Sequence, residues 1–318
     1  MPKAKSPDAK PTVSIIGAGR LGQALAIALR SSGYPILALV ARRRQKAEKA
    51  VALLGEAPGS TPARATPRPL AFGANQLAKL PKSDLILLAT PDDAIEKTAK
   101  ILAASLGPGV WRRTILHTSG ALSSAALAPL AKREFQTGSI HPLVSVSDPT
   151  SGAAALHGAF FCLEGTRKAK LLAAAIVCDL GGKSFTIKPE SKALYHTAAV
   201  MVSPNLTALV DIATEMLAAC GLSKHKAQQV FVPLLESTVN NLKTSNPRQA
   251  LTGTFARGDV ATVRRHLQAL SDKELAEARA VYKLLGLHSL RLAEKNGLDP
   301  QLVAKIEKLL RAHSSFES

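Results

Sequence analysis

Short, almost wholly apolar runs alternate with amphipathic ones through the first half of the chain. Residues 12–16, 35–40, 84–90, 114–117, 135–140, 159–163 and 183–187 are rich in Val, Ile, Leu and Phe. Runs of that length, bounded by Gly, Pro, Ser or Asp, predict strands buried on both faces, as in a parallel sheet. A short strand near 70–72 is added. Between these runs lie stretches with apolar residues at helical spacing, at 20–29, 44–54, from about Ser123, and at 166–180. The alternation predicts a doubly wound, mostly parallel sheet with helices on both faces. Asp92 or Asp93 is placed to cap the helix that follows Thr90.

From Pro189 onward no strand pattern is present. Helices are expected over 190–219, 223–243, 259–270, 272–296 and 300–312. Pro204 and Pro233 should kink or restart the first two, and Gly221 and Gly297 fit helix ends. The expected organisation is therefore α/β over residues 11–188 and all-helical over 189–318. The Lys- and Pro-rich residues 1–10 read as a basic tail without the apolar core of a signal peptide, and residues 55–69 read as a loop.

The first strand runs into Gly17-Ala-Gly19-Arg20-Leu21-Gly22. A GxGxxG between a strand and a helix, with a second strand following, is the arrangement that binds a dinucleotide. Gly17 allows the tight turn, Gly19 lets the backbone approach a pyrophosphate, and Gly22 allows close helix packing. The helix start offers free N–H groups and a positive dipole end to the phosphates. The second strand ends in Arg42-Arg43-Arg44, where a carboxylate would favour NAD. Arginine there suits the 2′-phosphate of NADP, because its planar fork donates two bonds at once. The cofactor expected is NADP(H), held by Gly17, Gly19, Arg20, Leu21, Gly22, Arg42 and Arg43.

Composition adds bounds. The formal net charge of +18 raises the question of nucleic acid. The basic residues are spread along the whole chain with acidic neighbours and without interleaved aromatics, so a basic surface that attracts anionic cofactors and substrates is the better reading. No apolar run without charge approaches the roughly 18 residues of a membrane span. Three cysteines, Cys162, Cys178 and Cys220, show no metal-ligand spacing. They read as buried thiols in a reducing cytoplasm, with no metal site.

Ligands of doubly wound sheets bind beyond the carboxyl ends of the strands. Thr90 and Pro91 are placed there to line the cofactor, and Ser119 to meet the nicotinamide or the substrate. His141 ends another strand. In the long helix after Pro189, Lys192 and His196 lie four apart and share a face. A lysine in an apolar setting has a lowered pKa and can act as a general acid. The expected catalytic set is Lys192, His196 and Ser119. An amide pair, Asn240-Asn241, and the turn with Arg257 and Asp259 could close a substrate pocket; equally, Asp259 could cap a helix.

The chain resembles bacterial proteins that join a Rossmann-like domain to the domain of unknown function 2520. The stretches that carry the resemblance are Gly17–Gly22, Thr90-Pro91-Asp92, His117-Thr-Ser-Gly120, Ser139 to Ser145, Lys192 with Tyr195-His196, and 250–259. At fold level that family is similar to ketopantoate reductase, 6-phosphogluconate and 3-hydroxyisobutyrate dehydrogenases and pyrroline-5-carboxylate reductase. The resemblance implies a catalytic lysine at Lys192, with His196 where an amide is common, and a homodimer formed through the helical domain. It implies an NADP(H)-dependent oxidoreductase transferring hydride to or from a small anionic carbonyl, hydroxy or imine compound. The alternatives are a non-catalytic NADP(H)-binding regulatory protein and a nucleic-acid-associated one.

Overall fold

A computed structural model gives the structure of residues 10–55, 67–106 and 113–312. The tail read from residues 1–10 lies outside these save for Lys10, and so does most of the loop read at 55–69. The described chain forms two compact units that divide between Met201 and Val202.

The first unit is built on one eight-stranded sheet. Its strands are β1 (Val13–Ile16), β2 (Ile36–Ala41), β3 (Leu70–Gly73), β4 (Leu85–Leu88), β5 (Thr114–His117), β6 (Gln136–Pro142), β7 (Phe160–Gly165) and β8 (Lys183–Thr186). They lie in the order β3-β2-β1-β4-β5-β6-β7-β8. All neighbours are parallel except β6 and β7, where His141 stands opposite Cys162. The expected strands therefore do join one sheet. β1 pairs with β2 on one side and β4 on the other, so the strand order reverses there. That reversal opens a crevice at the carboxyl ends of the strands.

Helices α1 (Arg20–Ser31), α2 (Arg44–Leu53), α3 (Asp92–Ser105), α4 (Ala128–Ala131), α5 (Pro149–Ala155) and α6 (Arg167–Asp179) cover the sheet. β1 and β4 are buried along their whole lengths, as strands between two helical layers must be. One apolar cluster gathers Ile15, Leu25, Leu39, Leu87, Phe161 and Val177, and the other gathers Ile16, Leu88, Ile95, Leu102 and Leu130. Each such side chain stabilises the fold by about 1.5–3 kcal/mol on burial. The expectation that Asp92 or Asp93 caps α3 is corrected. Pro91 occupies the cap without a side-chain bond, and both aspartates lie inside the first turn. There they favour the positive end of the helix dipole.

Helix α7 (Lys192–Val202) follows a short 3-10 turn, Pro189–Ser191. Its residues up to Met201 belong to the first unit, because Lys192 is buried in it. The compact unit thus runs past residue 188.

The second unit holds α8 (Pro204–Ala219), α9 (Lys224–Thr244), α10 (Pro247–Ala250), α11 (Gly253–Ala256), α12 (Val260–Ala269), α13 (Ala276–Lys295) and α14 (Pro300–Arg311), with no strand among its described residues. Pro204 takes the first helical position of α8, where its missing N–H costs nothing, and Ser203 breaks away from α7. Pro233 was expected to kink or restart a helix; it sits inside an α9 assigned without interruption. Gly221 and Gly297 follow helix ends with φ of +92° and +91°, as expected. Asp259 caps α12 by accepting from Thr262 N–H at 2.9 Å. A small core of Val263, Leu290, Ile306 and Leu310 joins α12, α13 and α14.

Helices α8 and α9 bury little. Leu206, Val230, Leu234 and Leu242 are all exposed, Leu234 by 62%. The helical stretch Pro189–Ala219 is also long and apolar enough to cross a membrane by length and composition, at a mean hydropathy of 1.2 with only 6% of that window buried. This corrects the expectation that no run reaches such a length. The cysteine expectation is corrected in part: Cys162 is buried, while Cys178 and Cys220 are exposed on α6 and at the end of α8.

Candidate cofactor groove and polar cluster

The crevice at the strand reversal is a groove of about 770 Å³. Gly17, Ala18 and Gly19 form one wall, Ala89, Thr90 and Pro91 another, and Val40 to Arg43 a third. Gly17 leaves β1 at φ +112°, and a Cβ there would lie 2.3 Å from the Ala89 carbonyl oxygen. Gly22 is held closer still, its Cβ position 1.9 Å from the Gly17 carbonyl oxygen. At Gly19, by contrast, a Cβ would meet nothing within 4 Å, which leaves room for a ligand at the helix start. Helix α1 has no side-chain cap and no acidic residue in its first turn. Its leading N–H groups and dipole therefore present an uncancelled positive end.

The residues fit a phosphorylated dinucleotide. Arg42, Arg43, Lys46 and Lys49 line the groove, and among the described residues no acidic side chain does. Thr90 Oγ1 is buried without a hydrogen-bond partner among the described residues. A buried hydroxyl left unpaired is costly, and a ligand hydroxyl at this wall would satisfy it. Of the residues expected to hold the cofactor, Gly17, Gly19, Arg42, Arg43, Thr90 and Pro91 line the groove; Arg20, Leu21, Gly22 and Ser119 do not. Sequence reasoning missed Lys46 and Lys49. Their signal was present: they stand three apart on a helix that begins at Arg44, so they share a face.

A second site lies at the ends of β5 and β6, where the face of α7 bearing Lys192, Tyr195 and His196 meets them. Lys192 is 1% exposed. Its Nζ donates to the Ser119 carbonyl at 2.9 Å and to Ser139 Oγ at 3.2 Å. An ammonium carries three donors, so one remains uncommitted by these bonds. Burial pushes the Lys192 pKa down, opposed by Cys162, Glu164 and Asp92. Tyr195 Oη lies 2.7 Å from His141 Nδ1, and the His141 and His196 rings stand edge to face at 5.5 Å.

Ser119 is more committed than expected. Its hydroxyl donates to Asp92 Oδ2 at 2.9 Å and accepts from the N–H groups of Ala121 and Leu122. His117 shapes the same turn: Nδ1 accepts from Ser119 N–H at 3.2 Å, which leaves Nε2–H to donate to the Ser123 carbonyl at 3.1 Å. Burial lowers the His117 pKa to about 4, and burial beside Lys192 and His196 lowers that of His141 to about 3. Both imidazoles are neutral near pH 7. Sequence reasoning gave Tyr195 and His117 no role: Tyr195 acts through His141, 54 positions away, and His117 acts on the backbone of its own turn, which no residue spacing signals. Among the described residues no three His, Cys, Asp or Glu side chains gather as a metal site.

Two family models match the chain. Residues 3–142 match the Rossmann-like domain, and residues 159–289 match the domain of unknown function DUF2520. The chain joins a Rossmann-like domain to a DUF2520 domain. The groove lies in the Rossmann-like segment. The DUF2520 segment begins at β7, inside the sheet, and it supplies Lys192, Tyr195 and His196 to the polar cluster.

The fold is shared with solved structures of low identity. A Bacteroides fragilis protein described as a candidate NADP oxidoreductase is 19% identical, with a TM-score of 0.69 over 89% of this chain and 98% of its own. A Thermotoga maritima protein is 21% identical, with a TM-score of 0.67 over 90% of this chain and 100% of its own. A reductive aminase from Aspergillus terreus, solved with NADPH and ethyl levulinate, is 16% identical, with a TM-score of 0.60 over 94% of this chain and 99% of its own. No curated protein matches the sequence.

Proposed function

We propose that this chain is an NADP(H)-dependent oxidoreductase acting on a small anionic carbonyl, hydroxy or imine compound. The observation that carries the reading is the groove itself. Among the described residues four cations and no carboxylate line it, beside a helix start without a side-chain cap. Arg42 and Arg43 hold the 2′-phosphate, and the α1 turn holds the pyrophosphate. The Aspergillus enzyme of the same fold was solved with NADPH, which supports the cofactor and the carbonyl or imine class.

NADPH, when bound, supplies the hydride; that chemistry belongs to the cofactor. The chain's own residues handle charge and proton. Lys192 holds a cation at the carboxyl edge of the sheet, fixed by Ser119 and Ser139, and its third N–H is the donor left for charge developing on the substrate's oxygen or nitrogen. His196 orients the substrate, and Ser119 fixes the lysine through its carbonyl. We place the protein in the cytoplasm as a homodimer, in which a second copy covers the apolar residues of α8 and α9. A helix face that apolar needs cover.

One observation favours a second reading, a cofactor-binding protein without turnover: Lys192 and the Ser119 hydroxyl are both occupied within the chain. A panel of keto acids, with and without ammonium or methylamine, separates the two. NADPH oxidation with any member supports the enzyme; tight NADPH binding with no oxidation supports the regulatory module.

A further inference from the structure

Three groups of the polar cluster remain without an account: Tyr195, His141 and the buried Nδ1 of His196. The last has no hydrogen-bond partner among the described residues, although burial of an unpaired ring nitrogen is costly. It is not isolated. The position a Cβ would take on Gly120 lies 2.3 Å from His196 Nδ1 and 2.8 Å from His141 Nε2. The two nitrogens converge on one buried glycine, near enough to share one bridging water. Any side chain at residue 120 would force the rings apart.

The proton positions follow in order from the far end. Burial and the neighbouring Cys162 keep the Tyr195 phenol protonated, with its pKa pushed above the ordinary value. The phenol has two partners, His141 Nδ1 at 2.7 Å and the Cys162 thiol; with the thiol donating to Oη, the phenol proton goes to His141 Nδ1, a direction that the nitrogen spectrum of His141 tests. A neutral imidazole that accepts at one nitrogen carries its proton on the other. His141 thus holds its proton on Nε2, the nitrogen turned toward Gly120 and His196. His196 Nδ1 is then the acceptor, and the His196 proton is left on Nε2.

We propose that Tyr195 and His141 are positioning residues that together fix the proton of His196 on Nε2. His196 then meets the substrate's reacting oxygen or nitrogen as a hydrogen-bond donor. The inference rests on the oxidoreductase reading for its substrate, but the alignment of the rings does not. It deepens that reading by assigning a donor, so the favoured substrate presents a lone pair to His196: a carbonyl oxygen or an imine nitrogen.

The test is nitrogen NMR on the full-length protein labelled at histidine, with peaks assigned through His141→Gln and His196→Gln. In the parent at pH 7 both rings are expected in the Nε2–H form. In Tyr195→Phe, His141 is expected to populate both tautomers and His196 to follow it. NADPH affinity, read by cofactor fluorescence, is expected to change less than twofold, and kcat to fall on the order of tenfold, a fraction of what loss of a full proton donor costs. A His141 ring protonated on Nδ1, or a His196 tautomer that ignores both Tyr195→Phe and His141→Gln, overturns the proposal. The nitrogen spectra need no turnover, so an inactive protein with the stated tautomers refutes the oxidoreductase reading and still bears out the alignment.

Discussion

Replacing Lys192 with methionine keeps the length and apolar stem of the side chain and removes its charge and donors. The ammonium is 1% exposed and donates to the Ser119 carbonyl and Ser139 Oγ. Losing it leaves two buried acceptors short of a donor, at about 1–3 kcal/mol each. Relief of the buried cation's desolvation offsets part of this, and the Ser139 hydroxyl can turn to another acceptor. The net destabilisation expected is about 2 kcal/mol, or a fall of roughly 4–8 °C in Tm for a unit of this size. Turnover should fall by about 10²–10⁴-fold, the range for loss of a positioned proton donor. NADPH affinity should stay within about twofold, since Lys192 does not line the groove. The assays are thermal melting, cofactor fluorescence and NADPH oxidation on one preparation. Full turnover in a folded Lys192→Met protein would remove the lysine from the chemistry. A large loss of NADPH affinity would show that the polar cluster and the groove are not separate.

The other expected outcomes are as follows. Gly22→Val drives a side chain into the Gly17 carbonyl, so NADPH affinity should fall at least on the order of tenfold while the sheet still folds; unchanged affinity would mean that the phosphates do not rest on this turn. On acidification, His117 must take up a proton while buried. Its folded pKa of about 4 lies below the ordinary 6.5, so the unfolded chain binds more protons between those values and stability falls as pH drops through that window. The loss should reach roughly 2 kcal/mol by pH 5, and denaturant melts of the parent and His117→Gln should diverge less there than at pH 7. Leu209→Asp with Leu234→Asp should turn a dimer into a monomer by light scattering, without detergent; a protein that is already monomeric at micromolar concentration refutes the second-copy reading of α8 and α9.

Period and punctuation carried most of the fold. Continuous apolar runs such as 85–88 could only be buried parallel strands, and Gly17 to Gly22 could be placed between strand and helix without coordinates. Long-range partners carried the rest. Asp92 looked like a helix cap because the residues beside it said so, yet it receives the Ser119 hydroxyl from 27 positions away in the chain. Ser119 looked free for a substrate for the same reason. Lys192 was legible as a candidate proton donor, with a solvated place in the first turn equally open until its burial was seen, and that Tyr195 reaches His141 depends on β6 lying beside β5 and on where α7 starts. Pro233 marked a break that α9 does not show; a proline interrupts one backbone bond and bends a helix without having to end it.

The most direct test is a calorimetric titration of the purified protein with NADPH and NADH in parallel at low salt. The groove lined by Arg42, Arg43, Lys46 and Lys49 predicts that NADPH binds about ten- to a hundredfold tighter, as expected for one or two charge-assisted bonds to the 2′-phosphate. Replacing both arginines with alanine should bring the two affinities together. No heat from either redox form of NADP, or equal affinity for NADH in the unaltered protein, would contradict the account.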